Sequence, residues 1–428
     1  MGKAEKNQII NDFKNHVSYG KAATFKEYGM EFIIGERRGA YITDISGKKT
    51  LINCHSNGGV FNLGHRNPEV IDAMIKATEN FDIGNHHLIS SQRAALGKKL
   101  AELMPGDLNY SVFGVSGGEA VDLALKLAKG YTKRNNIVSL KGGYHGHTGL
   151  AMATGDAQYR TPFGENSSAY KQVAFGDLDA ARKAITPETA AFIMETIPAT
   201  LGIAIPEKKY LQELRKHCAE TGTLFIIDEV QCGLGRTGKL WAFEHFDIIP
   251  DMVVLGKGLS GGIYPITATV LREPIETFFH KNPFIHVSTF GGSEIGCEVA
   301  LKVLEKSAAP EFLHHVNQIS EYLGQGYERL QKKHKKYIAG FRQLGLMSGI
   351  VFHEEKHGPL FTKAAYDCGM FALYANNDKR VCQLLPPLII TKEQVDEIID
   401  KIDKAIGKLK FYSAAYRVKE SMSNIFRK

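Results

Sequence analysis

Leu224-Phe225-Ile226-Ile227-Asp228-Glu229-Val230-Gln231, followed after Gly233-Leu234-Gly235-Arg236-Thr237-Gly238 by Met252-Val253-Val254-Leu255-Gly256-Lys257-Gly258, is the stretch from which the fold can be read. Both apolar runs are short and unbroken, as strands covered on two faces are. The first ends in an acid, Asp228, and the second in a lysine, Lys257. Gly258, Ser260, Gly261 and Gly262 follow the lysine, so its amine is expected in a tight, partly dry loop. Desolvation there lowers an ammonium pKa and makes the amine a nucleophile.

Working outward, further strands are expected at Ile137-Val138-Ser139-Leu140 and Ala191-Phe192-Ile193-Met194. Amphipathic helical stretches such as 210–220 separate them. Strands alternating with helices from about 60 to 300 predict an α/β protein with a mainly parallel, doubly wound sheet. Nearer the N-terminus, Glu31-Phe32-Ile33-Ile34 and Ala40-Tyr41-Ile42 read as short strands, with a turn at Ser46-Gly47-Lys48. After about 310 longer helices dominate, with an occasional strand such as Gly349-Ile350-Val351-Phe352. Thr391 to Gln394 is a capping box that opens a last helix, whose apolar stripe runs Val395, Ile398, Ile399, Ile402, Ala405, Ile406, Leu409. A second, smaller domain follows from this change of pattern; the polar, basic tail from Tyr412 to Lys428 carries no fold expectation.

Phe113-Gly114-Val115-Ser116-Gly117-Gly118-Glu119 leads into a helical face of Ala120, Leu123, Ala124, Leu127 and Ala128. Ser116 and Glu119 stand at capping-box spacing, which any helix start can use. Adjacent glycines at a helix N-terminus also let a phosphate approach bare backbone N–H groups. After the strand ending at Leu140 comes Lys141-Gly142-Gly143-Tyr144-His145-Gly146-His147, where an aromatic ring between small residues could stack on a planar group. A strand-end lysine, a strand-end acid and a phosphate cradle are the parts that pyridoxal phosphate needs. The lysine holds it as a Schiff base, and the acid keeps the ring nitrogen protonated so that the ring accepts electrons.

Composition sets the outer limits. The chain has 428 residues, which predicts one large and one smaller domain. With 43% hydrophobic and 23% charged residues it reads as a soluble globular protein. A net charge of +7 on scattered lysines argues against nucleic-acid binding and suits anionic small molecules. Cys54, Cys218, Cys232, Cys297, Cys368 and Cys382 form no C-x-x-C pair, so no metal site is expected, and their dispersion suits reduced thiols in a cytoplasm. No apolar run approaches the roughly 20 residues that span a bilayer, and no signal core follows Met1, so a cytoplasmic protein away from membranes is expected.

One motif points elsewhere. Gly233 to Gly238 matches G-x-G-x-x-G, and Asp251 lies near the offset of a ribose-binding acid. A nicotinamide dehydrogenase would use this pattern. However, Asp228 to Cys232 separate the strand from the first glycine, so the turn is not tight. The stretch also sits mid-chain, and Asp228 and Lys257 would have no role.

Together these residues resemble the class III (ornithine- and 4-aminobutyrate-type) aminotransferases, a fold-type I pyridoxal phosphate family. The likeness is densest over 224–262 and extends from Gly39 to Pro386-Pro387-Leu388. It implies a mainly parallel seven-stranded sheet in a large domain, residues 56–310. A smaller α+β domain would combine residues 1–55 with 311–428. By the resemblance, Lys257 would carry the cofactor and shuttle the proton, and Asp228 would pair with the ring nitrogen. Gln231 would lie near the phenolic oxygen, and Ser116, Gly117 and Gly118 would hold the phosphate. Tyr144 would stack on the ring with His145 beside it, and Glu195 matches an acid of the pocket floor. Thr289 resembles the threonine that reaches the phosphate of the neighbouring subunit, which implies a homodimer. An amine or amino acid and a keto or aldehyde acceptor would then react in ping-pong order.

The chain departs from the pattern at three places. Gly118 stands where threonine or serine is common, removing a hydroxyl from the phosphate cup. Met194-Glu195-Thr196-Ile197-Pro198-Ala199-Thr200 replaces E-P-I-Q-G-E, so Thr200 takes the place of a second glutamate. The arginine that partners that glutamate should stand three residues before Pro386, where this chain has Gln383, with Arg380 three residues earlier. An amide cannot replace the two charge-assisted bonds of a guanidinium to a carboxylate. Glutamate and 2-oxoglutarate are therefore not expected to be recognised in the family's usual way, unless Arg380 serves instead. A transaminase is the leading expectation; an aminomutase, amino-acid epimerase or decarboxylase of the same fold is the alternative.

Overall fold

The computed structural model describes the backbone of residues 2–425 and the side chains of residues 2 and 4–413. Its centre is a seven-stranded sheet. Across it run Leu108–Gly114, Thr267–Arg272, Met252–Leu255, Leu224–Asp228, Thr189–Glu195, Asn136–Leu140 and Tyr170–Val173. Only Thr267–Arg272 is antiparallel to its neighbours. The sheet is thus mainly parallel, as expected, and its strands fall within a residue or two of the apolar runs.

Side-chain alternation explains the unbroken apolar runs. Phe192, Met194, Phe225, Ile227, Val253 and Leu255 face one core, while Ala191, Ile193, Ile226, Met252 and Val254 face the other. Both faces are covered, which explains why the runs are mostly apolar; buried Ser139 and Thr269 bond backbone carbonyls instead. The helix Gly117–Thr132 lies on the second face through Ala120, Leu123, Ala124 and Leu127. The helix Lys208–Thr221 brings Leu211, Leu214 and Cys218 to the first.

Two smaller sheets flank this unit. Ile34–Arg38, Tyr41–Asp44 and Thr50–Asn53 are joined by Met370–Phe371, with Ile52 parallel to Met370. The second contains Ile338–Leu344, Met347–Phe352, Asp378–Leu384 and Leu373–Ala375. The long helix Lys392–Ile425 covers this region through the stripe Val395, Ile398, Ile402, Ala405, Ile406 and Leu409, with Ile399 packed beside them. Thr391 and Gln394 close its capping box reciprocally, at 3.1 and 3.3 Å.

The first expected strand is misplaced. Only Ile34 of Glu31 to Ile34 enters a strand, because the Asp44 carboxylate takes the Ile33 amide at 3.0 Å and ends the ladder there. Two helices, Lys3–His16 and Tyr19–Glu27, precede it without an apolar stripe strong enough to announce them.

The G-x-G-x-x-G stretch serves the fold. Arg236 is completely buried. Its guanidinium donates to Leu346 O (3.0 Å), Pro386 O (2.6 Å) and Asn62 Oδ1 (2.7 Å), tying three distant segments together. Gly345, at φ +60°, is required against it, since a Cβ there would lie 2.3 Å from the Thr237 carbonyl carbon. Burial lowers the guanidinium pKa to about 9. Arg236→Met is expected to destabilise the chain by about 2–4 kcal/mol: each orphaned buried acceptor costs about 1–3 kcal/mol, and losing a buried charge offsets part of that. The urea midpoint measures this, and an unshifted midpoint would show the clamp to be dispensable.

Candidate active site

Strand direction gathers the expected residues on one rim. Glu195 and Asp228 end adjacent parallel strands in register. Lys257 follows the next strand by two residues, and Tyr144 and His145 follow Leu140. The C-terminal rim of a parallel sheet is where such folds bind ligands. Gly117, Gly118, Tyr144, His145, Glu195, Asp228, Gln231 and Lys257 line a cavity of about 170 Å³ there.

Asp228 is fixed from two sides. Its Oδ2 is 2.8 Å from His145 Nδ1, and its Oδ1 accepts the Val230 amide at 3.0 Å. Burial pushes the His145 imidazole pKa down, but the bond to Asp228 and the nearby acids outweigh it and hold the group above its ordinary value. Glu195 accepts the Tyr144 amide at 2.9 Å, and burial raises its carboxyl to about 7 despite the opposing charge of His145. Tyr144 is partly exposed, with its phenol pushed up chiefly by burial.

Lys257 Nζ donates to Gln231 Oε1 at 3.1 Å. Burial lowers its pKa, with Asp228 and Glu195 pulling the other way. The backbone of Lys257 has φ +42°, a left-handed conformation that a lysine adopts only when its surroundings impose it.

Some expected residues stand apart. Ser116 caps the helix, accepting the Glu119 amide at 3.3 Å, and is not part of the cavity wall. Glu119 turns to the Val115 amide, so the capping box is only half formed. Thr289 lies on an exposed loop and does not line the cavity of this chain. Arg380 is exposed and forks onto Asp378 of its own strand at 3.0 and 3.1 Å. Gln383 is buried in the same strand. Thr200 Oγ1 and Asn377 Nδ2 both donate to Gly142 O at 2.8 Å.

Other residues of the site were missed from the sequence. Val230 and Gly146 line the cavity. Gly58, at φ +68°, lets the chain pass close to the lysine: a Cβ there would lie 3.2 Å from Lys257 Cε. The adjacent Ser56 and Asn57 also have positive φ. His55 is held at about 4 by burial and by the charges of Lys257 and Arg236. Glu229 bonds Thr196 and accepts the Ala242 and Phe243 amides at 2.8 and 3.1 Å, bracing the loop below Gln231. The paired glycines Gly58-Gly59 were the available signal, and they have no strand beside them to give them meaning.

The residues fit pyridoxal phosphate. The cavity offers an amine for its aldehyde, a fixed carboxylate for its ring nitrogen and a helix start without Cβ atoms for its phosphate. His145 Nε2 and Glu195 Oε2 are buried without a hydrogen-bond partner among the described residues, as polar atoms facing a bound group would be. No cluster of metal-ligating side chains occurs among the described residues, and no helix there is long and apolar enough to cross a membrane.

Comparison with known proteins agrees. The family model for class III aminotransferases matches residues 24–406. An uncharacterised aminotransferase of Archaeoglobus fulgidus is 50% identical over 405 residues, covering 95% of each chain. A putrescine aminotransferase of Pectobacterium atrosepticum is 34% identical over 420 residues, covering 94% of this chain and 89% of the relative. A transaminase from the marine bacterium Virgibacillus superposes with a TM-score of 0.88 at 26% identity, covering 95% of this chain and 99% of that one. The match across most of its length, and the site it carries, place this chain in the class III aminotransferases, enzymes that depend on pyridoxal phosphate.

Proposed function

We propose that this aminotransferase takes its amino group from aliphatic amines whose far end carries no carboxylate, diamines included, and passes it to a keto or aldehyde acceptor in ping-pong order. The observation that carries this reading is the make-up of the cavity: Glu195 and Asp228 line it and no guanidinium does. Arg380 forks onto Asp378 and is not part of the cavity wall, which supports the reading that it does not stand in for the missing arginine. The relative that acts on putrescine supports the same donor class.

When bound, pyridoxal phosphate supplies an aldehyde that captures the amine and a ring that takes up the electron pair left by the departing proton. Lys257 Nζ would take that proton from the donor carbon and return it to the carbon on the other side of the donor nitrogen. Its lowered pKa is suited to this, since an amine must be free to accept. Asp228, held by His145 and Val230, keeps the proton on the ring nitrogen. Gln231 would orient Nζ, and Tyr144, on the cavity wall, would stack on the ring.

Exposed Phe284, Ile285 and Phe290 stand near Thr289 in the sequence, and exposed Leu88 and Ile89 line one groove with Phe284, beside the His87–Phe284 contact. Burying these against a second copy would take Thr289 to the partner's cofactor, and we read the working unit as that homodimer. We divide the chain into a large unit, 56–310, and a smaller one from 1–55 and 311–428, a division supported by the pairing of Ile52 with Met370. Six free thiols suit a cytoplasmic setting.

The holoenzyme mixed with single amines, without acceptor, tests the donor class. Short diamines should bleach its yellow colour at least about tenfold faster than glutamate, the margin of one charge-assisted contact. Arg380→Ala should leave the acceptor KM within about fivefold, because an exposed ion pair is worth about 0–1 kcal/mol. Rapid bleaching by glutamate, or a large selective KM loss in Arg380→Ala but not in Gln383→Ala, would overturn the reading.

A further inference from the structure

We propose that the Thr148 hydroxyl is a ligand of the cofactor's phosphate, supplying from a second element the hydroxyl that position 118 lacks. The inference rests on the pyridoxal phosphate site described above. Two glycines bring the loop after Asn136–Leu140 down onto the start of the helix Gly117–Thr132. A Cβ on Gly146, at φ +116°, would lie 2.7 Å from Gly118 Cα. A Cβ on Gly118 would lie 2.6 Å from Thr148 Oγ1 and 3.1 Å from its Cγ2. Thr148 therefore takes the space that a serine or threonine side chain at 118 would occupy, with its oxygen nearest.

That oxygen is not used to cap its own helix. Thr148 precedes Gly149–Ala153 but makes no side-chain cap bond. Asp122 Oδ1 takes the Ala151 amide instead, at 2.7 Å. A cap would have used a lone pair of the oxygen, so the hydroxyl is left free of its own helix and has a proton to donate. Beside it, Gly117 and Gly118 line the cavity at the first turn of a 16-residue helix, where amides have no intrahelical partner. Thr148 is exposed and stands just outside the cavity lining, in contact range of Gly118, so an anion seated on those amides would meet its hydroxyl at the solvent edge; a hydroxyl donating to a phosphate oxygen is a charge-assisted bond.

Thr148→Val keeps the shape and removes the hydroxyl; Thr148→Ser keeps the hydroxyl. Cofactor-stripped protein titrated with pyridoxal phosphate, and separately with pyridoxal, gives the readout by absorbance. Thr148→Val should weaken pyridoxal phosphate about tenfold, the low end for a hydrogen bond to a charged group, and leave pyridoxal unchanged. Thr148→Ser should stay within about twofold of the parent. The pair Gly118→Ser with Thr148→Ala, which returns the hydroxyl to 118 and clears its space, should bind better than Thr148→Ala alone. Equal affinity of Thr148→Val and parent for pyridoxal phosphate would overturn the proposal. So would equal weakening of both compounds, which marks a packing role. If the parent itself binds neither compound, the cofactor reading falls as well; melting curves of each stripped variant separate these results from misfolding.

Discussion

Lys257→Ala should lower turnover by at least about 10⁴-fold, since proton transfer by a positioned group alone contributes about 10²–10⁴-fold and the same amine also anchors the cofactor. The variant should nonetheless fold. Lys257 Nζ has one side-chain hydrogen bond, to Gln231, and burial already disfavours its charge. Alanine removes a buried, poorly solvated amine. The urea midpoint of the cofactor-stripped variant is expected to match or exceed that of the parent. Lys257→Arg should not rescue activity, because a guanidinium does not give up its proton near neutral pH. Steady-state rates with any accepted donor decide the matter. Activity above about 1% of the parent is incompatible with a positioned base worth 10²-fold or more.

Asp228→Asn should reduce kcat by about 10³-fold with a much smaller effect on KM, because the carboxylate acts on charge that builds up after the donor has bound. The amide has the same shape and could keep a contact to the Val230 amide. It cannot hold a proton on the ring nitrogen. A second, independent readout is His145. In the parent its pKa is raised, because the bond to Asp228 outweighs burial. Without that carboxylate burial prevails, so the imidazole should titrate lower, and NMR of the cofactor-stripped variant would detect the fall. An unchanged kcat would remove Asp228 from the chemistry, whereas an unchanged His145 titration would contradict the observed pair.

Much of this site could be read along the chain, because its chemistry sits at the ends of short apolar strands. Each strand is specified locally, and parallel strands bring their C-terminal ends to one rim. Lys257, Asp228, Glu195, Tyr144 and His145 were therefore legible. The strand at 31–34 was misjudged because Asp44, eleven residues from Ile33, captures the amide that the ladder would have used. Gly58 and His55 were not noticed, since their closeness to Lys257 crosses about 200 residues of chain.

By itself the sequence determined the alternation of strands and helices, the rim chemistry and the absence of an arginine at position 383, all features carried by residues close in the chain. Only the tertiary structure decided that Arg236 clamps Asn62, Leu346 and Pro386, that Arg380 turns to Asp378, and that Thr148 rests on Gly118. The physical reason is that a side chain's partner is fixed by which distant backbone packs against it. Composition and periodicity report the surroundings a residue needs, and folding alone selects which neighbours provide them.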